Sequence, residues 1–227
     1  DIAFEHDLEY AAGIDLIQAL KDSARKSGVH FGLKLTNTLE TINLNRHLPD
    51  SEEMVYMSGR ALHPISVNLA ARLQEAFQGD LDISFSAGVD CFNLPAVLRC
   101  GLQPVTVCSD LLKPGGYGRL GQYLDELEGA MTAAGAGSLS EWVQTGDTAD
   151  PAAARCARLA HYARAVVGEP AYHHQAFPYG GIKTDRALAS FDCIAAPCVA
   201  ACAAGQEIPR YLDHTARGDL VKALEVI

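Results

Sequence analysis

Several features that would assign this chain to a familiar class of protein are scarce or absent in its sequence. Basic residues are outnumbered, because 18 lysines and arginines stand against 28 aspartates and glutamates, giving a net charge of −10. Binding to the phosphate backbone of nucleic acids requires the opposite balance and is therefore disfavoured. No apolar run approaches the roughly 20 residues of a membrane span, and residues 1–6 do not resemble a signal peptide. We expect a cytoplasmic globular protein that neither spans a membrane nor binds nucleic acid.

The sequence also lacks an initiator methionine, because its first residue is Asp1. We therefore expect it to be an interior piece of a longer protein. Repeats and low-complexity tracts are absent as well, and 227 residues suffice for one large domain or two small ones.

Short apolar segments alternate with helical patterns in the first part of the chain. The patterns predict strands at 30–35, 81–86 and 104–108, and helices at 13–28, 67–77, 94–100 and 117–133. This alternation is typical of βα units around a parallel sheet, so the predicted fold class is α/β. Only helical signals follow, at 152–167, 185–190, 208–214 and 219–226, with a short helix capped by Ser138. We place a domain boundary near residue 135, between a 1–135 and a 136–227 domain.

The first candidate binding residues follow a predicted strand. Lys34 lies inside an apolar strand, and Asn37 lies in the polar segment after it. A buried lysine needs an anion or an acceptor, and ligands of βα folds collect where strands end. Lys34 can therefore face an electron-rich ring or a phosphate. The alternative is a lysine whose side chain extends to solvent.

Four segments, in the same order, resemble the barrels of dihydroorotate dehydrogenase and dihydropyrimidine dehydrogenase. They are KLTN at 34–37, SGRALHPI at 58–65, ISFSAGV at 83–89 and VTVCS at 105–109. The resemblance implies the C-terminal part of a TIM barrel of the FMN type within residues 1–135. It also implies that Lys34 and Asn37 face the flavin ring. The residues implied around the phosphate are Ala87, Gly88, Val89, Cys108 and Ser109.

Two residues depart from the pattern of these barrels. Ala87 replaces the first of two glycines in the phosphate turn, and Asp110 stands where the family has a small neutral residue. A carboxylate that faces a phosphate is repulsive, so either Asp110 turns away or FMN is not bound there. We therefore expect this piece to lack bound FMN although Lys34 remains. A barrel that keeps its fold without a flavin is the alternative to a flavoprotein.

Three of the seven cysteines lie within ten residues. Cys193, Cys198 and Cys202 have the spacing C-x4-C-x3-C. Thiolates this close suit an iron–sulfur cluster, whereas zinc sites favour paired C-x2-C motifs, which are absent here. The alternative is three small residues packed in a helical domain.

This segment resembles the iron–sulfur domain shared by the glutamate synthase small subunit and dihydropyrimidine dehydrogenase. The resemblance implies that Cys193, Cys198 and Cys202 are metal ligands of a 4Fe-4S cluster, with Ser190 in the position of a fourth cysteine. Because the family's other ligands lie further along the chain, we expect a complete cluster only in the longer protein. We expect this piece, purified in air, to be largely without iron.

A half barrel followed by an all-α iron–sulfur segment resembles the selenate reductase iron–sulfur subunits, which are grouped with glutamate synthase small subunits. Such proteins continue into a module that binds FAD and NADPH. The resemblance implies a cytoplasmic oxidoreductase that passes electrons from NAD(P)H through 4Fe-4S clusters to an unknown acceptor, with partner redox subunits. The alternative function is a non-catalytic barrel that has lost its flavin and docks partner subunits. No catalytic proton donor can be named from the sequence.

Overall fold

The structure, a computed structural model, describes residues 7–43, 52–112, 116–144, 150–173 and 202–227. The chain divides into two compact units, residues 1–173 and 174–227, which we describe separately. In the described part of the chain, every helix is too short or too polar to cross a membrane.

The first unit alternates helices with short strands. Its helices are α1 (Tyr10–Ser27), α2 (His63–Ala76), α3 (Leu94–Arg99), α4 (Leu120–Ala133), α5 (Leu139–Gln144) and α6 (Pro151–Gly168). Its strands are β1 (Leu33–Leu35), β2 (Leu39–Ile42), β3 (Met54–Met57) and β4 (Ile83–Phe85). The described part of the second unit contains α7 (Ile208–Ala216) and α8 (Leu220–Val226).

The strands that the sequence predicts run parallel in the structure. β1 pairs with β4, with Leu35 opposite Phe85, and Phe85 also forms a parallel bridge with Val105. The N–H of Thr106 donates to the Phe85 carbonyl over 2.9 Å. The three parallel segments confirm the predicted βα arrangement, and their carboxyl ends meet at one edge of the sheet.

A hairpin that the sequence patterns do not predict follows β1 directly. β2 and β3 pair antiparallel, with Leu39 opposite Met57 and Ile42 opposite Met54. The hairpin therefore extends from the carboxyl end of β1, before the chain enters α2.

One face of the parallel sheet packs against helices. Ile83 and Phe85 are fully buried, as are Val67 of α2 and Val97 of α3. Ile83 and Phe85 are buried together because every second side chain of a strand points to the same face of the sheet.

The ends of two helices show why the sequence folds locally as it does. Helix α1 ends where Gly28 adopts a φ of +66°, which glycine tolerates better than other residues. Helix α6 begins at Asp150, whose carboxylate accepts the N–H groups of Ala152 and Ala153 at 3.0 and 3.1 Å. Both ends lie where the sequence predicts them.

Helix α6 belongs to the first compact unit, although it lies beyond the boundary that the sequence places near residue 135. Leu159, Ala163 and Val166 form a buried stripe on α6. Asn68 of α2 donates to the carbonyl of Ala163 over 3.0 Å. This packing extends the unit to residue 173.

Candidate functional site

The candidate site lies where the loops after the parallel strands come together. Gly88 follows β4, Ser109 follows the Val105 bridge, and Gly59 precedes α2. A Cβ built on Gly88 would overlap the carbonyl oxygen of Gly59, and one built on Gly59 would lie 3.5 Å from Cβ of Ser109. The structure therefore brings the predicted residues Gly88 and Ser109 into one cluster of loops around Gly59.

Residues 87–89, which we call the 87–89 turn, have two of their three carbonyl groups held by side chains. His63 Nδ1 lies 2.6 Å from the Ala87 oxygen, and Asn93 Nδ2 lies 3.0 Å from the Gly88 oxygen. The Tyr123 hydroxyl lies 3.1 Å from the Val89 oxygen but 2.8 Å from Asp110 Oδ2, so its single proton goes to the carboxylate. The two donors to the turn come from α2 and from the residue before α3.

The N–H groups of Gly88 and Val89 have no acceptor among the residues that the structure describes. Backbone N–H groups that converge in a tight turn form a concave site for anions. These two N–H groups are therefore candidates for contact with an anion, and Gly88 brings its backbone close to the neighbouring loop.

Asp90 fixes the chain where it leaves the turn. Its carboxylate accepts the N–H groups of Phe92 and Asn93 at 3.0 and 3.2 Å, and its own N–H donates to Asn93 Oδ1 over 2.9 Å. Arg60 donates to the other carboxylate oxygen over 2.7 Å. These bonds join the loop before α2 to the loop after β4.

Lys34 follows the alternative that the sequence leaves open, a lysine whose side chain extends to solvent. Its side chain is exposed, opposite Ser84 in the sheet register, because Leu33 and Leu35 take the face that packs against helices. A lysine between two leucines in a strand lies on the other face from both. Lys34 and the exposed Asn37 therefore stand at the carboxyl end of β1 with solvent access.

Asp110 does not face the 87–89 turn as a free carboxylate. It is 4 % exposed and accepts from Arg119 Nη2 and Nε at 3.0 and 3.1 Å and from the Tyr123 hydroxyl at 2.8 Å. Hydrogen bonding to this carboxylate raises the pKa of Arg119. The carboxylate is thus directed at a guanidinium and a phenol, which reduces the charge that it would present to a phosphate.

Ala87 and Cys108 also lie at this edge of the sheet. Ala87 is buried, with its carbonyl bound by His63, so its methyl group packs inward. Cys108 is exposed with a free thiol. The alanine at position 87, where the family has a glycine, therefore does not place its methyl group against the N–H groups of Gly88 and Val89.

His63 is the supporting residue that the sequence patterns did not single out. It is fully buried, and its Nε2 lies 2.8 Å from the hydroxyl of Tyr162. Burial lowers its pKa, although the Ala87 carbonyl and Asp90 act in the opposite direction. Its ring stacks on that of Tyr172, with centroids 5.1 Å apart and planes at 13°. A histidine at the start of an apolar helix was the available signal for a buried polar contact.

Cys202 is the predicted cluster ligand that the structure describes. Its sulfur accepts the N–H of Gln206 over 3.4 Å, in a turn where Gly205 has a φ of +66°. Hydrogen bonds from the backbone of Gln206, Ala204 and Gly205 lower the pKa of this thiol, which favours the thiolate that binds metals.

The other two predicted ligands, Cys193 and Cys198, lie outside the described residues. Within the described ranges, no three histidine, cysteine or acidic side chains come together as a metal site. The cluster site stays a prediction.

The parallel strands and the helices that pack on them are typical of part of a (β/α) barrel, and the polar loops lie at the edge where such barrels usually bind their ligands. Residues 1–164 match the family described as "Oxidoreductase YgfK, N-terminal TIM-barrel domain", and the chain belongs to this family.

Two curated relatives carry the same description. The chain is 40% identical over 225 residues to "Putative oxidoreductase YgfK" of Escherichia coli K12, and equally to that of Escherichia coli O157:H7. The match covers 99% of this chain and 20% of each relative. The chain thus spans about a fifth of the length of these relatives.

Proposed function

We propose that this chain is part of a flavin- and iron–sulfur-dependent oxidoreductase in which the 87–89 turn binds the phosphate of FMN. The observation that supports the proposal is that His63 and Asn93 bind the carbonyls of Ala87 and Gly88, while the N–H groups of Gly88 and Val89 have no acceptor among the described residues. The family's description as an oxidoreductase agrees with this function. Bound FMN would supply the transfer of electrons or hydride.

The residues present fit the group. Lys34 and Asn37 are exposed at the carboxyl end of β1, on the same sheet edge as the turn, and Lys34 can face the flavin ring. Asp110 is neutralised by Arg119, so it does not oppose a phosphate beside Ser109. Repulsion between Asp110 and a phosphate, the reason to expect that FMN is absent, is therefore weakened.

The test compares FMN with riboflavin in the intact natural protein. A phosphate held by the turn should make FMN bind at least about tenfold tighter than riboflavin, which corresponds to about 1.4 kcal/mol. Inorganic phosphate should compete with FMN. Lys34→Met should weaken both flavins alike, whereas Lys222→Met, on the exposed face of α8, should change neither. Equal affinities for FMN and riboflavin would contradict the proposed phosphate site.

For the iron–sulfur part, we propose that Cys193, Cys198 and Cys202 hold a 4Fe-4S cluster in the longer protein. Cys202 supports this assignment, because backbone N–H groups directed at a sulfur stabilise its thiolate form. Bound clusters would supply one-electron transfer, with FAD and NADPH held by a further module, in the manner of the selenate reductase and glutamate synthase subunits.

The cluster assignment is tested by iron and acid-labile sulfide in the anaerobically reconstituted intact protein. Cys198→Ser should lower both. The control is Cys156→Ser, because the natural Cys156 thiol donates to the Gln74 carbonyl within the first unit, and this variant should lower neither. Iron content that Cys198→Ser does not change would remove the cluster assignment. A protein with iron but no flavin would favour the alternative scaffold function.

A further inference from the structure

The 87–89 turn is connected by hydrogen bonds to residues that lie about 75 to 85 positions further along the chain. Asn93 donates from Nδ2 both to the Gly88 carbonyl, over 3.0 Å, and to the Tyr172 hydroxyl, over 3.1 Å. The Tyr162 hydroxyl lies 2.8 Å from His63 Nε2, and His63 donates to the Ala87 carbonyl. Two arms of hydrogen bonds therefore reach the turn, one from Tyr172 through Asn93 and one from Tyr162 through His63.

The direction of each bond in these two arms follows from the chemistry of its ends. A carbonyl oxygen only accepts, so His63 carries its proton on Nδ1, and the neutral ring accepts at Nε2 from the Tyr162 hydroxyl. In the other arm, the hydroxyl oxygen of Tyr172 accepts from Asn93 Nδ2. The loss of either hydroxyl therefore removes the outermost bond of its arm.

The inner residues of these two arms of hydrogen bonds, His63 and Asn93, are buried. His63 is fully buried and lies between Tyr172, stacked at 5.1 Å, and Phe85, edge-on at 5.7 Å. Asn93 is 6 % exposed, and its amide group is used completely, by Asp90, Gly88 and Tyr172. Because water has little access, a side chain that loses its partner cannot easily replace it.

We propose that Tyr162 and Tyr172 are positioning residues for the 87–89 turn, which orient its peptide groups for an anion through His63 and Asn93. The proposal rests on the proposed phosphate site for its ligand. Residues 170–172, which form a short 3-10 turn after α6, thereby become part of the support of a site that lies at the strand ends. Binding of a phosphate monoester is expected to depend on whether these residues are docked.

The first test uses hydrogen–deuterium exchange and needs no ligand. In the intact protein, Tyr172→Phe and Tyr162→Phe should speed exchange in a peptide that spans residues 90–98, where the N–H of Asp90 depends on Asn93. One lost buried hydrogen bond corresponds to about a three- to tenfold faster exchange. Tyr10→Phe is the matched control, because it removes one hydroxyl bond, to the Arg72 carbonyl at 3.0 Å, elsewhere in the same unit.

The second test uses the ratio of FMN to riboflavin affinity, which isolates the contact with the phosphate. Tyr172→Phe should reduce this ratio about three- to tenfold, whereas a general loss of stability would weaken both flavins alike. His63→Asn retains a donor near the position of Nδ1 and should preserve the ratio better than His63→Leu. This pair provides the test should a tyrosine variant fail to fold.

The outcomes separate the two proposals. A natural protein with equal FMN and riboflavin affinities would overturn the phosphate site, while the exchange data alone would still decide on the positioning role. Unchanged exchange and an unchanged ratio in Tyr162→Phe and Tyr172→Phe would overturn that role. The same holds if Asn93→Asp disturbs the turn and neither tyrosine variant does, because the support would then end at Asn93.

Discussion

Replacement of Asp110 by asparagine tests whether this buried carboxylate supports the loops or repels a bound phosphate. The variant keeps the shape of the side chain but removes its charge. Two hydrogen bonds from Arg119 lose their ionic character, and the Tyr123 hydroxyl can donate to the Val89 carbonyl at 3.1 Å if the amide oxygen does not face it. Removal of one partner from a fully buried ion pair costs about 3–5 kcal/mol.

The expected loss here is smaller, because Arg119 is 22 % exposed and water can solvate the guanidinium that remains. We expect Asp110→Asn to lower the local free energy of opening of residues 108–112 by about 2 kcal/mol. Hydrogen exchange of peptides from this loop in the intact protein measures that quantity. Affinity for FMN should stay the same or fall, since the loop that carries Ser109 loosens.

The matched control is Asp213→Asn, which removes an exposed carboxylate that pairs with Arg217 on α7. Exposed pairs contribute little, so exchange should not change measurably. If Asp110→Asn instead leaves the loop as stable as before and tightens FMN binding tenfold, the carboxylate faces the phosphate. Our placement of Asp110 would then be wrong.

Three further predictions concern the support of the site. Since burial lowers the pKa of His63 from 6.5, the unfolded chain takes up a proton that the folded protein does not, and the free energy of unfolding should fall as pH drops below about 6.5. His63→Gln should flatten that fall in urea titrations between pH 7 and 5, and an unchanged slope would contradict the assignment. Asp150→Ala should cost about 1 kcal/mol in thermal unfolding of the first unit through the lost cap of α6, and Asp150→Asn much less. Gly129→Ala, in open space on α4, should stabilise by about 0.5–1 kcal/mol, whereas Gly88→Ala should destabilise and abolish anion binding because its methyl group overlaps Gly59.

The sequence predicted the elements whose signals are local. The parallel strands follow from apolar runs that end in polar residues, and Gly28 and Asp150 mark helix ends by their own backbone and side-chain chemistry. The capping of α5 was also predicted, and the Glu141 N–H donates to the Ser138 hydroxyl over 3.2 Å. The helix ends involve residues within four positions of one another, and each strand is marked by its own apolar run.

The features that the sequence did not reveal depend on distant partners. The β2–β3 hairpin is short, and its stability depends on Leu39 and Met57 packing against the core. The bond between His63 and Tyr162 joins residues 99 positions apart, and no local pattern encodes it. The apolar pattern left open whether Lys34 is buried or extends to solvent, and strand alternation directs it to the opposite face from its neighbouring leucines.

Glycine count alone is therefore a poor measure of whether a turn can bind a phosphate. In the 87–89 turn, donors on α2 and before α3 orient the first two peptide groups by binding the carbonyl oxygens of Ala87 and Gly88. With these carbonyls bound, an alanine at position 87 can pack its methyl group inward, and we propose that the N–H groups of Gly88 and Val89 face an anion. The affinity of such a turn depends on the packing of the whole first unit, including α6, which lies beyond the barrel segments that the sequence patterns identify.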